Sequence, residues 1–530
     1  MYRAHEIKLK INADKREIPR IIEKRLAVQN PGLSIAEWHI VKESIDARDK
    51  GDILFVYTVD FTVTADREPD LKGIRNIEKA VISTPEEVEQ GHLEMLDPPV
   101  IAGFGPCGMF AALTLAERGY RPIVFERGRS IEKRSVDVEK FWQTGELDEE
   151  SNVQFGEGGA GTFSDGKLTT GIKDKRARKV IEALAASGGG EELLYKQKPH
   201  IGTDRLKEVV VAIRKRIIEL GGIIFFESKL TDIIVENGAL SAIVINNEKT
   251  VKTQNLILAI GHSARDTYRI LLDKGMDMEQ KPFSMGLRIE HPQSLINKAQ
   301  YGDESGLGLG AADYKLSYRS SNGRGVYTFC MCPGGRVIAA SSEKGKLVTN
   351  GMSERARDSG LANSGLLVDV KTSDFRSGSP LAGIELQEHY EKLAYEAAGQ
   401  TYNLPWCTYG ELKTNSGKGA VVRNCLPDFA AESILEAIPY MGRKLRGFDN
   451  DAAKLYAVET RSSSPVRLLR DELLQSSIIG VYPGGEGAGY AGGIVSAGVD
   501  GIRIAEGLIS RYQTPTPDFD LDLEEKAHVR

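Results

Sequence analysis

A short apolar run that leads into a glycine-rich turn constrains the fold of this 530-residue chain more than any other feature. Residues 99–102 (PVIA) predict a buried strand, and residues 103–108 (GFGPCG) predict a tight turn. We expect a helix over residues 109–118 and then a second strand, residues 122–125 (PIVF), that ends at Glu126. This order of strand, glycine turn, helix, strand and acid is typical of a βαβ unit that binds a dinucleotide.

The glycines of this turn have separate expected roles. Gly103 permits the tight turn, Gly105 lets the backbone approach a pyrophosphate, and Gly108 lets the helix pack closely on the strand. The pyrophosphate would lie at the helix N-terminus, whose N–H groups and dipole favour an anion. Glu126 follows Gly108 by 18 residues, close to the spacing of about 20 at which an acid binds the adenosine ribose. Because its charge disfavours a 2′-phosphate, the expected ligand is FAD or NAD rather than NADP.

Three further segments favour FAD over NAD. Residues 154–162 (QFGEGGAGT) form a second glycine-rich loop, and residues 256–261 (LILAIG) predict a buried strand that stops at a glycine. Residues 480–493 (GVYPGGEGAGYAGG) lead into a helix that contains Asp500. A second helix N-terminus would stabilise the negative charge of a reduced flavin, whereas NAD would need only the first loop. We therefore expect two loops that are distant in sequence to meet around one FAD.

These segments resemble flavoproteins with a glutathione-reductase-like FAD fold and, more narrowly, a bacterial family of FAD-dependent, NAD(FAD)-utilising dehydrogenases. The matching segments lie between residues 100 and 500, at 103–108, 158–168 (GGAGTFSDGKL), 198–204 (KPHIGTD), 259–265 (AIGHSAR), 328–335 (TFCMCPGG), 350–353, 459–467 (ETRSSSPVR) and 482–493. Membership of this family does not supply a substrate.

The resemblance also implies a set of cofactor contacts. The first glycine loop would contact the pyrophosphate, Glu126 the ribose, and the backbone of Leu230 the adenine. Gly485 and Glu486 stand where this fold often has Gly-Asp, which leaves open whether Glu486 or Asp500 makes the polar contact. The expected cofactor-binding residues are Gly103, Gly105, Pro106, Gly108, Glu126, Arg127, Gly158, Gly159, Gly161, Thr162, Leu230, Gly261, Gly485, Glu486, Gly492, Gly493 and Asp500.

The predicted fold class is α/β. We expect a glutathione-reductase-like FAD-binding Rossmann fold with an inserted α+β substrate domain and a small N-terminal α+β domain. The expected divisions are an N-terminal domain over 1–95, the first part of the FAD-binding domain over 96–270, a substrate or cap domain over 271–450 and the C-terminal part of the FAD-binding domain over 451–530. Residues 270–450 show no strong periodicity, so their strands and helices are not predicted individually.

Composition excludes several other classes of protein. Apolar residues make up 41% and the net charge is −6, so a disordered chain and a nucleic-acid-binding protein are both disfavoured. Five cysteines cannot form a disulfide scaffold in so long a chain. The N-terminal residues do not resemble a signal peptide, and no apolar run approaches the ~18 residues of a membrane span. We expect a cytoplasmic protein with no membrane span.

The reacting groups are harder to predict. Arg461 could bind an anion or the flavin O2 atom, or form a structural ion pair with Glu459 or another acid. His262 is a candidate general acid, although a single histidine more often satisfies local backbone. Tyr490 could cover a ring, although a packed tyrosine is favoured. Arg461, Tyr490 and His262 are the substrate-side candidates, and we assign no catalytic acid or base.

Other motifs argue against related reactions. Residues 306–311 (GLGLGA) are a loose nucleotide-binding motif without a predicted strand before it, so we expect a loop. Residues 330–332 (CMC) are expected to pack beside a Pro-Gly-Gly turn, with a redox or metal role as the weaker alternative, because CxC is neither CxxC nor part of a four-ligand set. The absence of CxxC disfavours a disulfide reductase, and no metal site is predicted.

The sequence therefore predicts an FAD-binding oxidoreductase that acts on an unidentified small molecule, with NADH or NADPH as the expected electron donor. One alternative is a double-bond reductase or saturase of an apolar substrate, which would need a deep apolar tunnel. A second is an FAD-containing RNA-modifying or RNA-binding protein, which would need a basic face that joins the N-terminal domain to the flavin. A third is a regulatory flavoprotein without turnover. The oligomeric state is not predicted.

Overall fold

The computed structural model describes residues 1–64, 68–81, 87–302 and 308–515 of a mixed α/β chain. Within these ranges, no helix combines the length and the apolar character that crossing a membrane would require. Of the loose glycine motif at 306–311, Gly306 and Leu307 lie outside the described residues, and residues 308–311 form neither a helix nor a strand.

The N-terminal part is a four-stranded antiparallel sheet with one helix packed on it. Its elements are β1 (Tyr2–Lys10), α1 (Ile18–Leu26), β2 (Ile35–Asp46), β3 (Leu54–Val63) and β4 (Ile77–Lys79). The strand order is β2-β3-β1-β4. Ile7, Ile22 and Val59 share one apolar cluster between the sheet and the helix. This part therefore combines antiparallel strands with one helix.

A parallel sheet forms the centre of the molecule. The first elements of this part are β5 (Val100–Ala102), α2 (Pro106–Glu117), β6 (Ile123–Phe125), α3 (Ile131–Thr144), α4 (Arg176–Leu184), α5 (Thr203–Glu219), β7 (Ile223–Phe225), β8 (Leu230–Glu236), β9 (Ala239–Ile245), β10 (Lys249–Lys252), β11 (Leu256–Leu258) and α6 (Arg265–Asp273). Two later elements complete it, β22 (Val481–Pro483) and α12 (Ile494–Ile509).

The five strands of this sheet follow the order β22-β11-β5-β6-β7, and all neighbouring pairs are parallel. They are three residues long and almost wholly buried, as expected of a parallel sheet covered on both faces. Strand β22 therefore lies only two strands from β5, although about 380 residues separate them in sequence. In such sheets, ligands bind outside the carboxyl ends of the strands where the strand order reverses.

A three-stranded antiparallel sheet, β10-β9-β8, lies beside the parallel one. Its hairpin turn is Asn237-Gly238, with φ values of +52° and +80°. Positive φ at both residues is the geometry of a type I′ turn, which asparagine and glycine adopt most readily. Asparagine followed by glycine is therefore a residue pair well suited to this hairpin turn.

The middle of the chain builds a six-stranded antiparallel sheet of order β14-β15-β18-β13-β20-β19. The elements of this part are β12 (Met278–Gln280), β13 (Phe283–Pro292), α7 (Gln293–Tyr301), β14 (Ser317–Arg319), β15 (Gly325–Pro333), β16 (Arg336–Ala339), β17 (Thr349–Met352), β18 (Leu361–Val370), α8 (Ala382–Ala397), β19 (Trp406–Thr408), α9 (Tyr409–Thr414), α10 (Lys418–Arg423), α11 (Asp428–Lys444), β20 (Lys454–Glu459) and β21 (Val466–Leu468). Strands β13 and β18 are buried along nearly their whole length, so they lack the alternation by which a half-exposed strand is recognised.

Candidate active site

A cleft of about 400 Å³ opens at the carboxyl ends of the parallel strands and faces the six-stranded sheet. This volume lies within the range of about 300–1,000 Å³ that is typical of ligand sites. The predicted site residues that line it are Gly103, Gly105, Pro106, Glu126, Arg127, Gly159, Gly161, Leu230, Gly261, His262, Arg461, Glu486, Gly492 and Gly493. The structure places the others behind this wall or away from it: Gly108, Gly158, Thr162, Gly485, Tyr490 and Asp500.

The glycine loops approach one another too closely for larger residues. Gly103 has a φ of +100°, and a Cβ there would overlap the carbonyl oxygen of Ala259. A Cβ on Gly108 would overlap the carbonyl oxygen of Gly103, which explains why this glycine supports the turn without reaching the cleft. A Cβ on Gly159 would lie 3.0 Å from the Cα of Gly105. The first and second glycine loops therefore touch.

Two helices begin at the cleft. Helix α2 has Gly105 as its N-cap and helix α12 has Gly493, and neither cap supplies a side-chain hydrogen bond to the first turn. The N-terminal N–H groups of a helix carry a partial positive charge and need acceptors. A Cβ on Gly161 would lie 3.2 Å from Cγ1 of Ile494, so the second glycine loop also contacts the start of α12.

Glu126 is buried at the end of β6 and organises the surrounding backbone. Its carboxylate accepts N–H hydrogen bonds from Phe104 at 2.7 Å and from Gly128 and Gly156 at 2.9 Å each. A carboxylate offers about four lone-pair positions, so one remains for a ligand hydroxyl. The glutamate joins both glycine loops, a function that the sequence did not indicate.

Arg127, the next residue, is held at the cleft wall by acids. Its Nε donates to Oε2 of Glu150 at 2.8 Å, and its Nη atoms donate to Asp266 at 3.1 and 3.2 Å. The guanidinium lies 3.8 Å from the ring centroid of Phe155 in the second loop. Arg127 thereby connects β6, the second loop and α6.

His262 follows Gly261 at the end of β11 and is paired on one side only. Its Nδ1 lies 3.2 Å from Oε1 of Glu486, which comes from the late glycine loop. Its Nε2 is buried and has no hydrogen-bond partner among the described residues. His262 as a residue lines the cleft, next to the strand-end glycine.

Glu486 and Asp500 occupy different positions relative to the cleft. Glu486 lines the cleft, whereas the Asp500 carboxylate pairs with Arg470 at 2.7 and 3.0 Å and accepts the Gly485 N–H at 2.8 Å. Asp500 therefore holds the loop in place from behind. Tyr490 is 37% exposed, and the Arg470 guanidinium lies 3.7 Å from its ring centroid, so this tyrosine packs outside the cleft wall.

Arg461 belongs to a buried ion-pair network. Its guanidinium donates to Glu391 at 2.9 and 3.1 Å and to Glu343 at 3.1 Å. Arg265 pairs with the same two acids at 2.7–2.8 Å. The partner acid is thus not Glu459, whose carboxylate pairs with Arg288 at 2.8 and 3.2 Å. Of the two interpretations of Arg461, these contacts match the structural ion pair.

Sequence reasoning missed several residues of the opposite wall. Lys167, Cys330 and Asn350 line the cleft, and all lie in segments that carry the family resemblance. The Lys167 ammonium pairs with Asp165 at 3.2 Å. Burial alone would raise the pKa of Asp165, yet Lys167 and Arg357 lower it. These contacts join residues from distant segments, so no local sequence pattern predicts them.

The wall fits FAD on three observations. A Cβ on Gly261, Gly492 or Gly493, which line the cleft, would project into open space. Two helix N-termini offer N–H donors to an anionic pyrophosphate and to a charged ring. The Nε2 atom of His262, a residue of the cleft lining, is buried and has no hydrogen-bond partner among the described residues.

Comparison with known proteins identifies relatives of this chain. A family model described as "FAD-dependent protein, C-terminal domain-like" matches residues 282–462, and a domain of unknown function matches residues 1–62. A curated protein of Clostridium beijerinckii is 46% identical over 540 residues, which cover 97% of this chain and 99% of the relative. That protein is described as uncharacterized.

Among solved structures, a glycerol-3-phosphate dehydrogenase from Bacillus halodurans complexed with FAD is 14% identical, with a TM-score of 0.36. The match covers 78% of this chain and 64% of that chain, which is less than two thirds. An L-proline dehydrogenase from P. horikoshii is 12% identical, with a TM-score of 0.38 over 78% of this chain and 93% of that one. Likenesses this distant identify no activity. The 46% identity shows that the chain belongs to one family with the clostridial protein, and its residues 282–462 match the model of the C-terminal domain of FAD-dependent proteins.

Proposed function

We propose that the cleft holds one FAD in the extended arrangement of the glutathione-reductase-like fold, and that the protein reduces or oxidises a small molecule with a nicotinamide nucleotide as electron donor. When bound, FAD supplies the hydride or electron transfer. The chain supplies binding, orientation and proton management.

The contacts of the cleft suggest how the chain would hold this cofactor. The pyrophosphate would lie on the α2 N-terminus at Gly105 and Pro106. The free lone pair of Glu126 would accept a ribose hydroxyl, and Leu230 would face the adenine. The α12 N-terminus, at Gly492 and Gly493, would face the flavin end. Asp500 and Arg127 would act indirectly, by holding the loops that make these contacts.

The pairing of His262 carries the proposal for proton transfer. The Glu486 carboxylate lies 3.2 Å from one ring nitrogen, and the other nitrogen is buried with no hydrogen-bond partner among the described residues. An imidazole that lines a flavin cleft can accept or donate a proton during the reaction. His262 is therefore the proposed acid–base residue, and Glu486 is the proposed positioning residue.

The first experiment measures bound flavin and then its reduction. We expect the purified protein to be yellow, with close to one FAD per chain. Anaerobic stopped-flow mixing with NADH and with NADPH should bleach the flavin absorbance with at least one of them. If neither nucleotide reduces the flavin, the proposed donor is wrong while FAD binding stands. Reoxidation of the reduced flavin is then measured with a panel of quinones, disulfides and activated alkenes.

The second experiment tests His262. We expect His262→Asn to keep its flavin but to lose about 10²–10⁴-fold in turnover with the acceptor found in the screen. Glu486→Gln should lose about tenfold and shift the pH profile. The exposed His92→Asn is the matched control and should be unchanged. An unchanged turnover and pH profile in His262→Asn would exclude the proposed role.

Neither alternative function gains support from the cleft. No residue of the described N-terminal ranges 1–64 and 68–81 lines the cleft. An RNA bound by this part would therefore have no direct contact with the flavin site. The wall opposite the glycine loops carries Lys167, Glu459 and Arg461, which an apolar substrate would have to desolvate.

A further inference from the structure

The second wall of the cleft contains two cysteines on one strand. Cys330 lines the cleft, whereas Cys332 is fully buried behind it. The pairing of β15 with β18 shifts register between Phe329 and Cys332, and Cys330 has a φ of +40°. Such a β-bulge re-aims side chains and is frequent next to active sites. The Cys332 thiol donates to the carbonyl oxygen of Cys330 at 3.3 Å, so the two residues are in direct contact.

Cations surround this pair. The Lys167 ammonium donates to the carbonyl oxygen of Met331, between the two cysteines. The Arg288 guanidinium donates to the carbonyl oxygen of Cys330 at 3.3 and 3.4 Å, and its Nη1 lies 3.9 Å from Sγ of Cys332. Arg288 is fully buried, so this charge acts in a medium of low dielectric constant.

The acids nearby are already paired. Asp165 accepts from Arg357 at 2.6 and 3.1 Å and pairs with Lys167, and Glu459 pairs with Arg288. Both acids oppose a negative charge on Cys330, but each is paired with a cation. The hydrogen bond from Cys332 is the main cause of a lowered pKa at Cys330, and Lys167 and Arg288 lower it further against the effect of burial. The same hydrogen bond, together with burial, raises the pKa of Cys332.

We propose that Cys330 and Cys332 form a redox-active dithiol that opens on the cofactor cleft and exchanges with disulfides. Cys330 is the attacking thiolate. It forms a bond to one sulfur of the partner disulfide and expels the other sulfur as a thiolate. Cys332 then loses its proton to that thiolate, attacks the sulfur of Cys330 and expels the second partner thiolate. Two electrons pass from the dithiol to the partner, and one intramolecular disulfide forms.

The position of the pair suggests its place in the reaction. A dithiol on the wall of a flavin cleft can hand two electrons to the cofactor or receive them from it, and this link rests on the proposed function. The thiol chemistry itself does not, because it needs only the two cysteines and a disulfide. The two ideas can therefore fail separately.

The first test measures which thiol is reactive. The holoprotein is alkylated with iodoacetamide from pH 5 to pH 9, and each cysteine is followed by mass spectrometry. At pH 7 we expect Cys330 to react at least about tenfold faster than any other cysteine, with an apparent pKa below the ordinary value of about 8.5. Cys407 and Cys425 are internal controls, since burial raises the pKa of each to about 12.

The second test measures the disulfide. The holoprotein is equilibrated with mixtures of reduced and oxidised glutathione, quenched with acid, alkylated and digested. We expect one peptide that contains both Cys330 and Cys332 to lose two hydrogens reversibly. Cys330→Ser should abolish reaction with glutathione, Cys332→Ser should trap a mixed disulfide on Cys330, and Cys425→Ser should behave like the unaltered protein.

Several results would overturn the proposal. They are an unreactive Cys330, thiols that stay reduced at every glutathione ratio, or a disulfide that involves another cysteine. Flavin absorbance is recorded on every sample. A colourless protein that still forms the Cys330–Cys332 disulfide would contradict the proposed cofactor site and leave the dithiol intact. A yellow protein with inert thiols would contradict the dithiol and leave the proposed cofactor site intact.

Discussion

The cleft has two walls built in different ways. The backbone wall presents mostly glycines and helix N-termini, and its lining residues are Gly103, Gly105, Pro106, Gly156, Gly159, Ala160, Gly161, Gly484, Gly492 and Gly493. The side-chain wall consists of Lys167, Cys330, Asn350, Glu459 and Arg461, and it presents charges and a thiol. The first wall suits a large anionic cofactor, and the second suits the chemistry done beside it.

This difference separates what binds from what reacts. Backbone contacts cannot vary much with side-chain identity, so the backbone wall can serve any reaction that uses FAD. The charges of the side-chain wall are arranged by ion pairs between remote segments, such as Arg288 with Glu459. We infer that the reaction of this protein is specified by the side-chain wall together with His262 and Glu486.

Placing a carboxylate on the backbone wall should have the largest effect. In Gly105→Asp the new charge would meet the pyrophosphate at the α2 N-terminus, and we expect the protein to purify without FAD. Flavin absorbance per chain measures this loss. The control is Gly378→Asp, an exposed loop site with nothing within 4 Å of an added Cβ, which should stay fully loaded. Normal flavin content in Gly105→Asp would mean that the phosphate site lies elsewhere.

The sequence predicted the backbone wall well for a physical reason. A close approach such as that of Gly103 to Ala259 tolerates only glycine, so the constraint is visible as a residue type at a fixed spacing. The hairpin at Asn237-Gly238 was predictable in the same way, since few residues accept positive φ. Local backbone geometry leaves a local sequence pattern.

The side-chain wall and the six-stranded sheet could not be predicted from local sequence patterns. Strands β13 and β18 are buried on both faces, so their apolar runs do not distinguish strand from helix. Cys330 faces the cleft because of a bulge, and CxC spacing does not encode a bulge. Asp500 and Glu486 are two acids near one loop, and only the contact with Arg470 separates their roles.

The network behind the side-chain wall should give the largest change in stability. Glu391 is fully buried between Arg265 and Arg461, so Glu391→Gln leaves two guanidinium groups with Glu343 alone. Loss of one member of a buried ion pair costs about 3–5 kcal/mol, and the midpoint of urea unfolding should fall accordingly. Glu388→Gln, on the same helix but near the surface, should cost less than about 1 kcal/mol. Equal midpoints for the two variants would show that the buried network is not stabilising.

The backbone wall also rests on one buried acid with unusual titration. Burial raises the pKa of Glu157 to about 7, although Arg214 and the Ile131 N–H oppose the shift. The folded state therefore retains a proton that the unfolded state has released, and stability falls as pH rises from about 4.5 through 7. Glu157→Gln carries no charge, so its stability relative to the unaltered protein should rise by roughly 2–4 kcal/mol between pH 5 and pH 8.

The control for this pH effect is Glu132→Gln, which removes the other acid on Arg214. Contacts with Arg214 lower the pKa of Glu132 to about 2 despite its partial burial. A lowered pKa gives stability that is lost only below the unfolded value, so this variant should differ from the unaltered protein by a constant amount from pH 5 to pH 8. Urea unfolding at each pH measures both. A flat difference for Glu157→Gln as well would mean that Glu157 is charged throughout this range.

The smallest effect on the cofactor should come from removing the N-terminal part. This part has its own apolar cluster, and its backbone contacts with the rest include hydrogen bonds of Glu43 with Tyr195 and Gln197 at 2.8 and 2.9 Å. Since none of its described residues lines the cleft, a chain that starts at residue 87 should carry as much FAD as the full chain, with a melting temperature a few degrees lower. Lys50→Ala, which removes one hydrogen bond to Ala299, should change neither value measurably. A truncated protein that is colourless but still folded by circular dichroism would contradict this prediction. It would show that FAD binding also requires the N-terminal part.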